Sequence, residues 1–172
     1  YYSEQVYDIR GLISRHPERR YLELGRSCVL PEYRSKRTVE LLWQGIWAYC
    51  QIHTIDVMFG CASFPGTVPA AHALALSFLH NHTRAKDDWR VAAIGERSTS
   101  MDLVPTEAVD IKAALAAMPP LVKGYLRLGA RFGDGAVVDH EFGSTDVLVI
   151  VRCEDITARY LNHFGPDAGR FA

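Results

Sequence analysis

The chain has 172 residues, of which 48% are apolar and 23% are charged, as expected for a single globular domain. Its formal net charge of -1 and its pI near 6.7 exclude a strong overall attraction to nucleic acid, so any anion site must be local. No stretch approaches the ~18 apolar residues of a membrane span, and no leader pattern opens the sequence at Tyr1. We expect a cytoplasmic chain, an excerpt of a longer one.

Cysteine and histidine are present without the spacing of a disulfide framework or a metal site. The four cysteines lie far apart and form no CxxC pair, so we expect reduced thiols (Cys28, Cys50, Cys61 and Cys153). His80 and His82 point in different directions on a helix, and no third ligand completes a known spacing. We therefore predict no metal.

The first half of the chain begins with a polar segment, 1–20, that we expect to be a loosely structured lead-in. A strand is predicted over 21–30 and is ended by Pro31. A helix is predicted over 38–51, capped by Ser35 or Thr38, because apolar residues recur at helical spacing (Val39, Leu42, Trp43, Ile46, Trp47 and Cys50). A buried strand over 54–64 and a helix over 70–82 follow.

The second half continues the alternation of strands and helices. A short strand is predicted over 91–94, a helix over 106–118 with a cap at Thr106, and a helix over 121–129 closed by Gly129. Strands over 136–138 and 146–151 and a helix over 154–164 complete the chain. This order predicts an α/β fold with several strands buried on both faces.

Three basic residues, Arg34, Lys36 and Arg37, lie between a predicted strand and the start of a predicted helix. A helix N-terminus has unpaired N–H groups and a partial positive charge, so cations are unfavourable there unless an anion binds. The arrangement is that of a phosphate site, although a solvated turn would have the same composition.

Glu23 and Arg26 form a Glu-x-x-Arg pair within the predicted strand, where residues three apart face opposite sides. A bulge, eased by Gly25, would turn both to one side and make a catalytic surface. The alternative is an edge strand with both charges in water. Further along, Lys123, Arg127 and Arg131 form a basic stripe if the helix extends that far, which suits an acidic partner or plain solvation.

The strand, the basic turn 34–39 and the following helix resemble the acyl-donor motif of the GNAT acyltransferases, Arg/Gln-x-x-Gly-x-Gly/Ala. Arg34 matches its first position, but Arg37 and Val39 replace the two small residues. Such a departure suits a single phosphodiester, as on the phosphopantetheine arm of acyl carrier protein, better than the pyrophosphate of coenzyme A. The acyl-homoserine-lactone synthases show a similar departure and a Glu-x-x-Arg.

A closer resemblance is to the ornithine N-acyltransferase family of ornithine-lipid synthesis, grouped with hemolysin-like acyltransferases. It rests on segments that occur in order along nearly the whole chain: YYSEQVYDI, ELGRSCVLPEYRSKRTVELLWQGIWAY, FGCASFPGT, PPLVKGYLRLGA, DHEFGSTDVLVIV and ARYLNHFG. The resemblance implies a GNAT-like, largely central mixed β-sheet flanked by helices, incomplete at the amino-terminal side. It implies one domain over 1–172, with 21–82 as the acyl-donor-binding core and 83–172 as the carboxy-terminal part.

The family reaction implied is transfer of a 3-hydroxyacyl chain from acyl carrier protein to the α-amine of L-ornithine, giving lyso-ornithine lipid. Glu23 would be the base and Arg26 would hold it or the substrate carboxylate; no cofactor is permanently bound. Backbone N–H groups near Val29 and Leu30 would stabilise the oxyanion. The pantetheine phosphate would be bound by Arg34, Lys36, Arg37 and Thr38, and the carrier protein by Lys123, Arg127 and Arg131.

Two alternatives remain open at this point. One is an N-acyl amino acid synthase with another acceptor, and the other is a non-catalytic half-domain that binds carrier protein. A lipid product would place the enzyme in the cytoplasm with peripheral contact at the inner membrane face.

Overall fold

The computed structural model describes residues 1–25, 28–156 and 160, without the side chain of Lys36. Its α-helices are α1 (Ile9–Arg15), α2 (Lys36–Ile52), α3 (Ala73–Phe78), α4 (Ile111–Ala117) and α5 (Pro120–Leu128). Its strands are β1 (Tyr21–Glu23), β2 (Val57–Pro65), β3 (Ser98–Thr99), β4 (Arg131–Asp139) and β5 (Ser144–Arg152). No helix in this described part is both long and apolar enough to cross a membrane.

The five strands form one mixed sheet in the order β1-β2-β5-β4-β3. The β1 and β2 strands are parallel, and the other neighbouring pairs are antiparallel. The β4 strand shifts register against β5 between Phe132 and Ala136, which is the signature of a bulge. The predicted class, a mixed and largely central sheet flanked by helices, is confirmed.

Two hydrophobic cores cover the two faces of the sheet. The larger lies against α2 to α5 and contains alternate residues of the central strands, such as Met58 and Val149. The smaller is closed by the amino-terminal segment, whose Tyr7, Ile9 and Leu12 are fully buried on the other face. Six of the nine residues of β2 and seven of the nine residues of β5 are buried, and consecutive residues are among them, which confirms the prediction of strands covered on both faces.

The α2 helix is capped as the sequence predicts, because the Ser35 side chain accepts a hydrogen bond from the Thr38 N–H at 3.1 Å. Its apolar stripe is buried along only part of its length. Trp43 and Cys50 pack on the larger core, whereas Val39 and Leu42 are 49% and 48% exposed. The predicted helix is confirmed, and the first two turns of its apolar stripe are left exposed.

Several predicted boundaries are also wrong. The lead-in holds a 3-10 helix, Tyr2–Gln5, and α1, because its apolar side chains pack on the sheet. The first strand ends at Glu23 instead of residue 30, and 91–94 contributes only isolated bridges. The cap of the 106–118 helix is Asp110, since a separate 3-10 turn precedes it.

Other elements agree with the sequence patterns. The segment 70–82 is helical as three consecutive pieces, a 3-10 turn, α3 and a π-helical turn Leu79–Thr83. Gly129 ends α5 in the left-handed conformation with φ 91°, as predicted for a glycine C-cap. The helix predicted over 154–164 lies largely outside the described residues.

Candidate functional site

The pairing of the first two strands ends before β2 does. They pair in parallel only from Tyr21 to Glu23, after which the Leu24 N–H donates to the Phe59 carbonyl oxygen at 2.7 Å. The β2 strand then continues to Pro65, and within the described ranges β5 is its one neighbour there. Gly60 permits the close approach of the Leu24 carbonyl, which a Cβ atom at this position would strike. This end of the pairing, at Glu23 on β1 and Gly60 on β2, is named the fork.

Glu23 lies at this fork and is half-buried. Its carboxylate accepts hydrogen bonds from the Tyr2 N–H at 2.7 Å, the Ser3 N–H at 2.7 Å and the Ser3 hydroxyl at 2.6 Å. A carboxylate has about four acceptor positions, so three are occupied by the start of the chain. The carboxylate is therefore held in one orientation.

A thiol extends this hydrogen-bonded group. The Cys61 Sγ lies 3.6 Å from the Ser3 Oγ, which itself donates to Glu23. Burial raises the pKa of the Cys61 thiol to about 11, so the group is neutral at pH 7 and is no thiolate nucleophile. Sequence reasoning missed Ser3 and Cys61, because nothing in the local pattern of either residue shows that a carboxylate 20 positions from Ser3 folds against it.

Arg26, the second member of the Glu-x-x-Arg pair, lies outside the described residues. Its predicted placement on the same wall as Glu23 stays a prediction. Glu23 does not stand fully in water at this edge strand, since it is half-buried and hydrogen-bonded.

The basic turn surrounds the N-terminus of α2. A 3-10 helix, Pro31–Tyr33, leads into it, and the Arg34 Nε donates to the Val29 carbonyl at 2.9 Å. Arg37 is exposed in the first turn of α2, which contains no acidic residue. Thr38 is half-buried there, and its hydroxyl lies 2.9 Å from the Ser35 hydroxyl. Helix N–H groups, two hydroxyls and two arginines thus occur within five consecutive residues, 34–38.

Val29 and Leu30 lie in the loop between β1 and this turn, not in a strand. The Leu30 carbonyl accepts from the Tyr33 N–H at 2.9 Å. Neither the Val29 nor the Leu30 N–H donates to a residue in the described part of the chain. Both groups therefore remain candidates for an oxyanion site.

The predicted basic stripe is not continuous. Lys123 lies on α5 and donates to the Ala116 carbonyl at 3.0 Å, and Arg127 is exposed in the last turn. Since α5 ends at Leu128, Arg131 is instead the first residue of β4. It lines a separate cleft of about 530 Å³, together with His82, Arg84, Lys86, Trp89 and Arg152 among others.

Over the ranges that are described, no three His, Cys, Asp or Glu side chains are grouped so as to bind an ion. His80 instead contacts Arg84, with 3.2 Å between its Nε2 and the Arg84 guanidinium, and its Nδ1 lies 3.6 Å from Asp134.

Comparison with known proteins gives one family match and several close relatives. A family model described as an acetyltransferase (GNAT) domain matches residues 1–44. The chain is 63% identical over 171 residues to an L-ornithine N(alpha)-acyltransferase of Brucella abortus (strain 2308), covering 99% of this chain and 61% of the relative. The corresponding protein of Rhizobium meliloti (strain 1021) is 62% identical over 172 residues, which are 100% of this chain and 58% of the relative.

A more distant relative of the same name, from Rhodobacter capsulatus, is 42% identical over 160 residues, covering 93% of this chain and 60% of its own length. No solved structure shows significant similarity. The chain spans about three fifths of the length of the curated relatives it matches. Given this identity along almost every residue and the GNAT match over residues 1–44, the chain is closely similar to part of the L-ornithine N(alpha)-acyltransferases.

Proposed function

We propose that this chain is the acyl-donor-binding part of an N-acyltransferase that moves a 3-hydroxyacyl chain from acyl carrier protein to the α-amine of L-ornithine, giving lyso-ornithine lipid. The observation that carries the proposal is the end of β1 at the fork, which the chain follows with the 3-10 turn Pro31–Tyr33 and the basic N-terminus of α2. The names of the relatives support the reaction class and the acceptor.

The choice of donor follows from the chemistry of the basic turn. Arg34 and Arg37 offer side-chain cations, and the first turn of α2 offers backbone N–H groups, around a site with no acidic neighbour in that turn. This set suits one phosphodiester, whereas a pyrophosphate favours glycines that let the backbone close on it. We therefore assign acyl carrier protein, in preference to coenzyme A, as the donor.

Aminolysis of a thioester needs a neutral amine and a stabilised oxyanion. An α-amino group is largely protonated at neutral pH, and a base placed near it removes the proton. In this proposal Glu23 acts directly or through the Ser3 hydroxyl, and Arg26 binds the carboxylate of the acceptor. The Val29 and Leu30 N–H groups stabilise the oxyanion, and Lys36 and Thr38 complete the phosphate site.

The proposed surface for the carrier protein consists of cations on α5 and at the start of β4. Arg127 and Arg131 are exposed and can steer an acidic carrier protein, while Lys123 also caps α4. Because the product carries an acyl chain, cytoplasmic location with peripheral contact at the inner membrane face belongs to the same proposal.

The test is reconstitution of the reaction with purified protein expressed from the complete open reading frame that includes this chain. The purified protein is supplied with a 3-hydroxyacyl carrier protein or the matching coenzyme A thioester, and with a panel of amino acids, and products are identified by mass spectrometry. We expect an N-acyl ornithine from the carrier-protein donor. Product with another amino acid alone would contradict the acceptor, and carrier binding without any product would indicate a non-catalytic binding domain.

A further inference from the structure

Two cysteines that are far apart in sequence meet at one end of the sheet. Cys50 lies in the last turns of α2, and Cys153 is the first residue after β5. The Cys50 carbonyl accepts from the Ile55 N–H at 2.9 Å, and the Cys153 N–H donates to the Asp56 carbonyl at 2.8 Å. The consecutive residues Ile55 and Asp56 therefore hold the two backbones, and both cysteine side chains pack in the larger core.

The two thiols differ in exposure and in basicity. Cys50 is 1% exposed within the larger core, whereas Cys153 is half-buried at its edge. The hydrogen bond between them lowers the pKa of Cys153 and raises the pKa of Cys50. Cys153 is thus the accessible thiolate-forming member, and Cys50 is the buried donor beside it.

The other two cysteines lack this arrangement. Cys28 is exposed, and no thiol is recorded near it in the described part of the chain. Cys61 is bound to Ser3 and has a raised pKa, so it is a poor nucleophile. Neither residue has a second sulfur available to complete a bond among the described contacts.

We propose that Cys153 and Cys50 form a redox-modification site whose co-substrate is a hydroperoxide. The Cys153 thiolate attacks the terminal peroxide oxygen, the O–O bond breaks, and the alcohol leaves with one proton. The Cys50 thiol then attacks the sulfenic acid at Cys153, the S–S bond forms, the S–O bond breaks, and water leaves. Two thiols are oxidised and one peroxide is reduced, and a small dithiol reverses the change.

The bond would tie the end of α2 to the end of β5 across roughly 100 residues. Closing so long a loop restricts the unfolded chain, so the oxidised protein should be the more stable form. This inference is independent of the proposed acyl transfer, because neither cysteine lies at the fork or the basic turn.

The experiment uses the protein from the complete open reading frame with Cys28→Ser, which removes the exposed thiol. This variant is treated in its folded state with a slight excess of hydrogen peroxide. It is then digested under acid, and its peptides are identified by mass spectrometry. We expect a linked pair of peptides containing Cys50 and Cys153, its loss after dithiothreitol, and a rise in Tm of about 5 °C or more before reduction.

Single variants separate the two roles. In Cys50→Ser the sulfenic acid should persist at Cys153 and be trapped by dimedone, whereas Cys153→Ser should give no adduct at Cys50. A linked peptide that appears only in urea, or peroxide labelling confined to other cysteines of the native protein, would overturn the proposal. The wild-type map decides the question even if a variant fails to fold.

Discussion

Glu23 connects the start of the chain to the end of β1 through its three hydrogen bonds to Tyr2 and Ser3. A carboxylate held in this way cannot turn freely, which favours proton transfer along a fixed direction. The Ser3 hydroxyl stands between Glu23 and the Cys61 thiol. In the proposed mechanism these contacts orient the base. They also join the start of the chain to the end of β1.

Replacing Glu23 by Gln should lower turnover of the full-length enzyme by about 10²-fold, because the amide cannot accept the proton of the amine. The measurement is the steady-state rate with saturating donor and acceptor, beside the Tm of each variant. Glu107→Gln, an exposed change of the same kind, is the matched control. A near wild-type rate for Glu23→Gln would remove this residue from the mechanism.

Gly60 gives a prediction about the geometry of the fork. Gly60→Ala should destabilise the fold by roughly 1–3 kcal/mol, because the new methyl group meets the Leu24 backbone carbonyl, which moves only if β1 shifts. Gly124→Ala in α5 meets open space and should stabilise by about 0.5–1 kcal/mol. Urea unfolding of both variants measures the two changes in the free energy of unfolding, which should have opposite signs. Equal changes would contradict this account of the fork.

At the scale of elements, α2 combines a proposed ligand site and a structural role. Its carboxyl half packs on the larger core, while its first turns carry exposed apolar and basic residues. Arg34 is positioned by the Val29 carbonyl and Arg37 by the helix itself. The two cations can therefore be removed without opening the core.

We expect Arg34→Ala with Arg37→Ala to raise the KM for acylated carrier protein relative to the wild type, and by less at higher salt, since salt already screens these two charges in the wild type. The KM for the amino acid should stay the same. Lys86→Ala with Lys112→Ala removes two exposed cations elsewhere and is the charge-matched control. An unchanged donor KM in the arginine variant would argue against a phosphate site at α2.

Elements with a strong pattern of their own could be predicted from the sequence. The helical spacing of α2, the β-branched run in β5 and the glycine after α5 each specify their element locally. The α1 helix could not be predicted, because its short polar sequence is fixed by burial of Ile9 and Leu12 on the sheet. The early end of β1 depends on contact with Gly60, and the bonds to Glu23 depend on a distant segment.

At the scale of the whole molecule, the bulge of β4 is joined to the segment 84–90 by an ion-pair group. The Asp134 carboxylate accepts from Arg84 at 3.2 Å and from Arg90 through two nitrogens, the Nε at 2.8 Å. Burial by itself raises the pKa of Asp134, but the hydrogen bonds from Arg90 and Arg84 outweigh it, and the pKa lies below its ordinary value.

Asp134→Asn should therefore destabilise the fold by about 1 kcal/mol at pH 7. The asparagine has a single neutral acceptor oxygen for the two arginines, where the carboxylate has two charged ones. A carboxyl with a lowered pKa in the folded state stabilises the fold fully above its unfolded pKa, and that contribution disappears as the pH falls through the folded pKa. The difference in unfolding free energy between wild type and variant should thus be constant above about pH 5 and shrink below about pH 4. Urea unfolding at several pH values between about 3 and 7 measures this difference, and the exposed Asp102→Asn is the control. A difference that grows as the pH falls would contradict a lowered pKa for Asp134.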